Sequence, residues 1–155
     1  MANEQNTIEL QVVTPERHVL NQDVDSVEMP GQDGYLGILA GHAPLLTEMG
    51  IGILTYRKGS ETRSTTVMGG YAEVLPNRVI VLADASERIE QIDPSRAQAA
   101  LDRAKANMPG ANATEADWDA ANAAVTRATV RLEAAAKGGS GATATASREM
   151  EHAKA

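Results

Sequence analysis

The sequence predicts a β + α protein, with an N-terminal β-sandwich (a flattened barrel) followed by a C-terminal antiparallel two-helix hairpin. Three observations predict this class. Short strand-like runs alternate with dense turn signals up to residue 84. Asp93-Pro94 then forms a typical helix start, and two apolar stripes at helical spacing follow it. The predicted domains are a β-sandwich over residues 1–84, a helical hairpin over residues 85–137 and a flexible tail over residues 138–155.

The strands are predicted from apolar periodicity and from the turns between them. Residues 8–12 alternate apolar and polar, whereas residues 79–83 are continuously apolar and predict a strand buried on both faces. Hairpin turns are predicted at residues 57–61 and 75–78. Because the chain has no phenylalanine, we expect a core of valine, isoleucine, leucine and methionine.

Residues 31–47 are the most unusual part of the β region. They contain four glycines and one proline, interleaved with aliphatic side chains, which excludes a helix. The spacing predicts repeated tight turns between very short strands, with polar side chains facing outward.

Two helices are predicted after the β region. The first starts with Asp93 as N-cap and Pro94 at the first position, and runs to about Met108, before a Pro-Gly pair. The second starts at Thr114 and ends at Lys137, before a Gly-Gly pair. One stripe consists of Ala97, Leu101, Ala104 and Met108, and the other of Trp118, Ala121, Val125, Ala128, Leu132 and Ala135.

The predicted seam between the helices is mostly alanine. Alanine buries little apolar area, which is worth about 25 cal/mol per Å². Such a hairpin forms helix readily but packs weakly on its neighbours. We therefore expect it to detach, extend or dock again. The free energies of these states should differ by only roughly a few kcal/mol, which a ligand or partner can supply.

Composition excludes several classes of function. A net charge of -7 without a basic block argues against nucleic-acid binding, and the lack of cysteine excludes thiolate metal sites and disulfides. No apolar run approaches the roughly 20 residues of a membrane span, so no direct membrane insertion is expected. The three histidines are widely separated, and neither a P-loop nor a nucleophile elbow is present. We expect no catalytic residues, no metal site and a soluble chain of a reducing compartment.

Five collinear motifs extend along the chain. They are L-x-V-V-T-P-E at residues 10–16, G-Y-L-G-I-L-A-G-H-A-P-L-L-T at 34–47, G-G-Y-A-E-V at 69–74, V-L-A-D-x-x-E-R at 81–88 and I-D-x-x-R-A at 92–97. Together they resemble the epsilon subunit of bacterial F-type ATP synthase over about residues 8–137. The resemblance implies the same β-sandwich and helical hairpin that the periodicity predicts independently.

The resemblance also implies a function without catalysis. Members of this family lie on the central stalk of the rotary motor, where the sandwich packs on the gamma subunit and touches the c-subunit ring. The hairpin folds down, or extends toward the alpha and beta subunits and inhibits ATP hydrolysis. The implied location is peripheral, at the cytoplasmic face of the inner membrane. No cofactor is required, and ATP is a regulatory ligand of some members.

Two groups of site residues follow from the resemblance. The exposed side chains implied to contact the c ring are Gln32, Asp33, Tyr35 and His42. Those implied to bind ATP are Glu87, Asp93, Arg96, Arg103, Arg127 and Arg131.

Each group also has a purely structural interpretation. The glycines of residues 31–47 serve turns, and His42 braces their loop. Asp93 serves as a helix cap, and the arginines form a solvated face or pair with Asp102 and Glu133 at about 0–1 kcal/mol each. An alternative function is a free-standing nucleotide-binding β-sandwich module with a helical arm, which co-purification with a gamma subunit would exclude.

Overall fold

The computed structural model describes residues 6–152, with side chains through residue 138. The chain divides into two compact units, one that ends at Arg88 and one that begins at Ile89. The sequence placed this boundary after residue 84. Residues 85–88 belong instead to the first unit, because they continue the hydrogen bonding of its last strand along a neighbouring one.

The first unit is a single hydrogen-bonded sheet of seven strands. Neighbouring strands pair antiparallel, except that the first and last strands in sequence order lie side by side and pair parallel. The strands are β1 (Ile8–Val13), β2 (His18–Val24), β3 (Ser26–Gly31), β4 (Gly34–Leu39), β5 (Leu45–Lys58), β6 (Glu61–Leu75) and β7 (Arg78–Ala83).

The sheet closes on itself into the sandwich that the sequence predicts. The strand order is β2-β1-β7-β6-β5-β3-β4, yet β2, at one end of that order, also lies close to β5. A flat sheet would keep these two strands apart, so the strands wrap around a common core.

The core consists mainly of aliphatic side chains, as predicted. Ile8, Leu10, Leu54 and Val67 have no solvent exposure. Tyr56 is the aromatic member of the cluster, which otherwise holds valine, isoleucine, leucine, methionine and alanine. Burial of these side chains is the main stabilising contribution of this unit.

The predicted hairpin turns are confirmed, but the expected very short strands are found only in part. Turns separate β5 from β6 and β6 from β7, as predicted. β5 has 14 residues and β6 has 15, and these strands run through Gly52 and Gly70 without a break. β6 requires glycine at position 70, because φ there is +112° and a Cβ would overlap the carbonyl oxygen of Leu82.

The second unit holds a 3-10 helix (Ile89–Gln91) and two helices that pack on each other, α1 (Pro94–Ala106) and α2 (Glu115–His152). Both predicted helix starts are confirmed. The Asp93 carboxylate accepts from the amides of Ser95 and Arg96, and Thr114 and Asp117 cap each other at the start of α2.

The predicted end of the second helix at Lys137 is wrong, because α2 extends to His152. A helix tolerates glycine at a cost of about 1 kcal/mol, and the surrounding sequence is rich in alanine, the best helix former. Gly138 has a packing role: a Cβ there would lie 2.6 Å from Cγ2 of Ile89. The predicted flexible tail is therefore helical through residue 152, and residues 153–155 lie outside the described residues.

The helical unit has a sparse core in which alanine is prominent. In α1 only Ala97 and Leu101 are buried. The described side chains of α2 that are buried are Ala128, Val130 and Ala134. Alanine is prominent in the core as predicted, but of the predicted α2 stripe only Ala128 is buried, since Val130 and Ala134 lie outside it. Met108 and Trp118, also members of the predicted stripes, remain exposed at the loop end of the hairpin.

Candidate functional site

Gln32 and Asp33 form the two-residue turn between β3 and β4. Gly31 pairs with Gly34 across this turn, and the amide of Gln32 donates to the carbonyl oxygen of Glu48 at 3.0 Å. Both turn side chains are exposed. The backbone is therefore fixed while the two side chains remain available for a partner.

Tyr35 lies next to this turn, and its hydroxyl is bonded within the sheet. The hydroxyl oxygen accepts a hydrogen bond of 3.2 Å from the amide of Ile53. The side chain is nevertheless 56% exposed. The ring is thus held in place by its hydroxyl and presents an apolar face to solvent.

His42 lies beyond the opposite end of β4. Its Nδ1 is 2.7 Å from the carbonyl oxygen of Ala43, and its amide donates to Leu39. The adjacent Gly41 amide donates to the carbonyl oxygen of Pro76 at 2.6 Å, which ties the loop to the β6–β7 turn. These bonds agree with the alternative in which His42 braces its loop.

The four residues that the resemblance assigns to the c ring do not form one compact cluster. A six-residue strand separates the turn at Gln32 and Asp33 from the loop at His42, roughly 20 Å at about 3.4 Å per residue. The turn with Tyr35 is one exposed surface, and His42 belongs to another. Contact of either with a c ring stays a prediction.

An exposed apolar face on β5, β6 and β7 was missed by sequence reasoning. Leu46, Tyr71 and Leu82 are 74%, 58% and 56% exposed. Tyr71 of β6 pairs with Leu82 of β7, and Leu46 of β5 pairs with Glu73, two residues further along β6. We call Leu46, Tyr71 and Leu82 the outer apolar face.

The outer apolar face corrects the prediction of a strand buried on both sides. In β7, Val79 and Val81 are buried, whereas Leu82 is exposed. A continuous apolar run places alternate side chains on opposite faces of the sheet, but it does not show whether both faces are covered. Large apolar side chains grouped on the outside of a sheet are typical of a protein interface.

The helical unit carries five of the six predicted ATP-site residues. Asp93 is engaged as the cap of α1, as the alternative interpretation expects. Arg96 and Arg103 are exposed on α1, and Arg127 and Arg131 are half-buried on α2. The sixth residue, Glu87, belongs to the sheet unit, where its backbone bonds to Thr66.

Three of the four arginines do not form the ion pairs that the structural interpretation predicts. Among the side chains that the structure describes, Arg96, Arg103 and Arg127 make no ion pair. Asp102 accepts instead from Nε2 of Gln98 at 2.9 Å. Three guanidinium groups on one hairpin are therefore free of the described carboxylates and could accept an anion. A pairing of Arg131 with Glu133 stays a prediction.

Two family models match most of the chain. One, described as the beta-sandwich domain of the ATP synthase delta/epsilon chain, covers residues 7–89. The other, described as the long alpha-helix domain of the same chain, covers residues 90–136. The chain belongs to the ATP synthase delta/epsilon chain family.

Individual members of this family are similar to most of the chain. The ATP synthase epsilon chain of Solibacter usitatus is 48% identical over 134 residues, which are 85% of this chain and 98% of that protein. That of Carboxydothermus hydrogenoformans is 52% identical over 101 residues, 65% of this chain and 75% of that protein. A chain of the Euglena gracilis mitochondrial ATP synthase, solved by cryo-EM with its F1 and c-ring, is 25% identical with a TM-score of 0.70, covering 83% of this chain and 81% of that one.

Among the side chains that the structure describes, no group of three or more histidine, cysteine or acidic residues is placed to hold a metal ion. Within residues 6–152, no helix is both long and apolar enough to cross a membrane.

Proposed function

We propose that this chain is a non-catalytic subunit of the central rotary stalk of an F-type ATP synthase. In this proposal it couples the proton-driven c ring to the catalytic head and inhibits ATP hydrolysis through its helical hairpin. It acts at the cytoplasmic face of the inner membrane, as a peripheral subunit. The main support is that the two units of the chain differ in packing. The sheet unit has a well-packed core and an outer apolar face, whereas the helical hairpin has a sparse alanine core.

The sheet unit supplies the fixed contacts. Its outer apolar face gives the gamma subunit a surface that is already ordered by the underlying core, so little conformational entropy is lost on docking. The turn at Gln32 and Asp33, with the held ring of Tyr35, gives a second exposed surface for the loops of the c ring. His42 contributes by holding the adjacent loop in shape.

The helical unit supplies the regulated contact. Its buried side chains are few and mostly small, so that separating it from a docked position costs little apolar burial. Met108 and Trp118, which lie near the connection between α1 and α2, are 36% and 39% exposed. They offer an apolar tip to the alpha and beta subunits when the hairpin extends.

ATP is the proposed regulatory ligand of the hairpin. The support is the set of guanidinium groups of Arg96, Arg103 and Arg127, whose planar forks match phosphate oxygens. A ligand that binds only one position of the hairpin stabilises that position in proportion to its concentration. ATP would thereby relieve inhibition when it is plentiful.

Calorimetry with the isolated chain tests ATP binding. We expect saturable heat for the wild type at millimolar ATP and a loss of about tenfold or more in affinity for Arg96→Ala. The control is Arg63→Ala, because Arg63 is an exposed arginine of the sheet unit that pairs with Glu61. Absence of saturable heat in the wild type would remove ATP as a ligand.

Co-purification tests the assembly. We expect the chain to be recovered with a gamma subunit and a c ring, and Leu46→Glu to weaken that recovery. Thr62→Glu, an equivalent change at an exposed site on β6, should leave recovery unchanged. A chain that binds nucleotide and never joins an assembly would support the free-standing module instead.

A further inference from the structure

Residues 84–88 continue the sheet beyond the end of β7. The amide of Asp84 donates to Gly69 at 3.2 Å, the amide of Met68 donates to Ala85 at 2.9 Å, and that of Thr66 donates to Glu87 at 2.9 Å. These bonds alternate between the two segments as in an antiparallel ladder. Residues 85–88, which the sequence assigned to the regulatory hairpin, are therefore attached to β6.

Hydroxyl groups on β6 reinforce this attachment. Thr65 and Thr66 are 2% and 0% exposed. The Thr66 hydroxyl accepts from the amide of Glu87 at 3.0 Å, and that of Thr65 donates to the Glu87 carbonyl oxygen at 2.8 Å. The Thr65 hydroxyl also lies 3.1 Å from that of Ser86. Buried polar groups that satisfy one another in this way hold a segment in a single position.

Arg88 adds a bond to a different strand. Its Nε and Nη2 both donate to the carbonyl oxygen of Val19 in β2, at 3.1 Å and 2.8 Å. Its backbone pairs with Thr65 of β6. Hydrogen bonds from a charged donor are among the stronger ones in proteins. The last residue of the sheet unit is thus tied to two strands of the same sheet.

The pattern of bonding changes immediately after Arg88. The next backbone bond joins the amide of Ile92 to the carbonyl oxygen of Ile89, within the 3-10 helix of the second unit. The backbone bonds of residues 84–87 lead into the sheet, and that of Ile92 stays within the 3-10 helix. Backbone pairing with the sheet therefore ends at Arg88.

We propose that Arg88, with Thr65 and Thr66, is a clamp that keeps residues 84–88 on the sheet and sets the pivot of the hairpin at the junction of Arg88 and Ile89. Support for the clamp comes from the set of hydrogen bonds within the sheet unit. Its role in regulation rests on the hairpin movement proposed above. Arg88 is a positioning residue in this scheme. The backbone of Glu87 is held on the sheet unit in this scheme.

Amide hydrogen exchange on the full chain, resolved by NMR, tests the clamp. In the wild type we expect the amides of Asp84 and Glu87 to exchange as slowly as those of Thr66 and Met68. Arg88→Ala should accelerate exchange of the first pair by about tenfold or more, with Arg88→Lys in between because a lysine cannot donate two bonds from a planar fork.

Thr66→Val and Thr55→Val form a matched pair of variants. Thr66→Val removes a hydroxyl that bonds to Glu87, so exchange of the Glu87 amide should rise by about tenfold or more. Thr55→Val removes a hydroxyl that pairs with Ser64 elsewhere on β6, and exchange at residues 84–88 should stay unchanged. Limited trypsin digestion gives an independent readout, with cleavage after Arg88 slower than after the exposed Arg63 and faster once position 88 is lysine.

The result that overturns the clamp is fast exchange of Asp84 and Glu87 in the wild type, at the rate of an open turn. Equal exchange in wild type and Arg88→Ala would overturn the role of Arg88. Failure of the proposed hairpin movement would appear separately. ATP hydrolysis would not respond to this subunit, while the amides of residues 84–88 would remain protected from exchange.

Discussion

The hydroxyl of Tyr35 accepts a hydrogen bond of 3.2 Å from the amide of Ile53, 18 residues along the chain. The bond joins β4, an edge strand, to β5 by way of a side chain. It uses the polar end of a ring whose remaining surface is largely exposed. A residue that the sequence offers as a contact for a partner is thus also a structural tie.

Replacing Tyr35 by phenylalanine separates these two roles. The change leaves the Ile53 amide without its acceptor, so we expect the sheet unit to lose about 1 kcal/mol of unfolding free energy. The ring remains, and contact through its apolar face should persist. Chemical denaturation measures the first effect, with Tyr71→Phe as the control on an exposed tyrosine of the same unit. Equal stability of Tyr35→Phe and wild type would show that the bond contributes nothing.

Gly70 is the position where the sheet tolerates a side chain least. A Cβ would lie 2.0 Å from the carbonyl oxygen of Leu82 and 2.9 Å from Cα of Ala83, and φ is +112°. We expect Gly70→Ala to cost roughly 3 kcal/mol or more, because the backbone of β7 must move. Gly59→Ala is the matched control, since Gly59 has φ +59° with open space around it, and should cost only about 1 kcal/mol. Similar losses in both variants would contradict this view of Gly70.

Much of this fold could be predicted from particular residues. Asp93 and Pro94 specified the start of α1, and Thr114 specified the start of α2, because caps act through atoms two or three residues away. The end of α2 could not be predicted, since Gly138 is explained by its approach to Ile89, 49 positions earlier in the sequence. Local rules identify turns and caps, whereas close approaches depend on the assembled fold.

The candidate sites show the same division. The resemblance supplied the residues, but only the structure separates the turn at Gln32 from the loop at His42 and assigns Glu87 to the sheet. The outer apolar face was hidden because Leu82 reads as a core residue until the register pairs it with Tyr71 on the solvent side. Surface function depends on which face of a strand points outward, and a continuous apolar run does not reveal it.

Asp93 provides a test of the helical unit by itself. Removing its carboxylate leaves the amides of Ser95 and Arg96 without their acceptor, so Asp93→Ala should destabilise the helical unit by about 0.5–2 kcal/mol. Asp102→Ala, which removes only an exposed contact with Gln98, should stay within about 0.5 kcal/mol of wild type. Thermal unfolding followed by far-UV circular dichroism measures both. Loss of ATP binding in Asp93→Ala without this destabilisation would instead favour a direct ligand role.

Asp117 makes the start of α2 sensitive to acid. The hydroxyl of Thr114, at 2.7 Å, and then its amide, at 2.9 Å, donate to the carboxylate and lower the pKa of Asp117. A pKa lowered in the folded state contributes stability above the unfolded value of about 3.9, and that contribution is lost as the pH falls through the lowered value.

Helix content measured by circular dichroism between roughly pH 5 and pH 2 reports this titration. Asp117→Asn should remove part of the acid-induced loss of helix. Asp119→Asn, at an exposed carboxyl two residues further along α2, should leave the acid profile as in the wild type. Identical profiles for wild type and Asp117→Asn would contradict the assigned role of the Thr114 contacts.

We propose above that this chain regulates a rotary ATP synthase through its hairpin without catalysing any step. The most direct measurement is ATP hydrolysis by a head-and-stalk complex depleted of this subunit, before and after the full chain is added back. We expect the added chain to bind and to lower the rate of ATP hydrolysis several-fold. At 1.4 kcal/mol per factor of ten, this corresponds to a free-energy difference of about 1 kcal/mol or more. Hydrolysis that stays unchanged with the chain demonstrably bound would contradict the account.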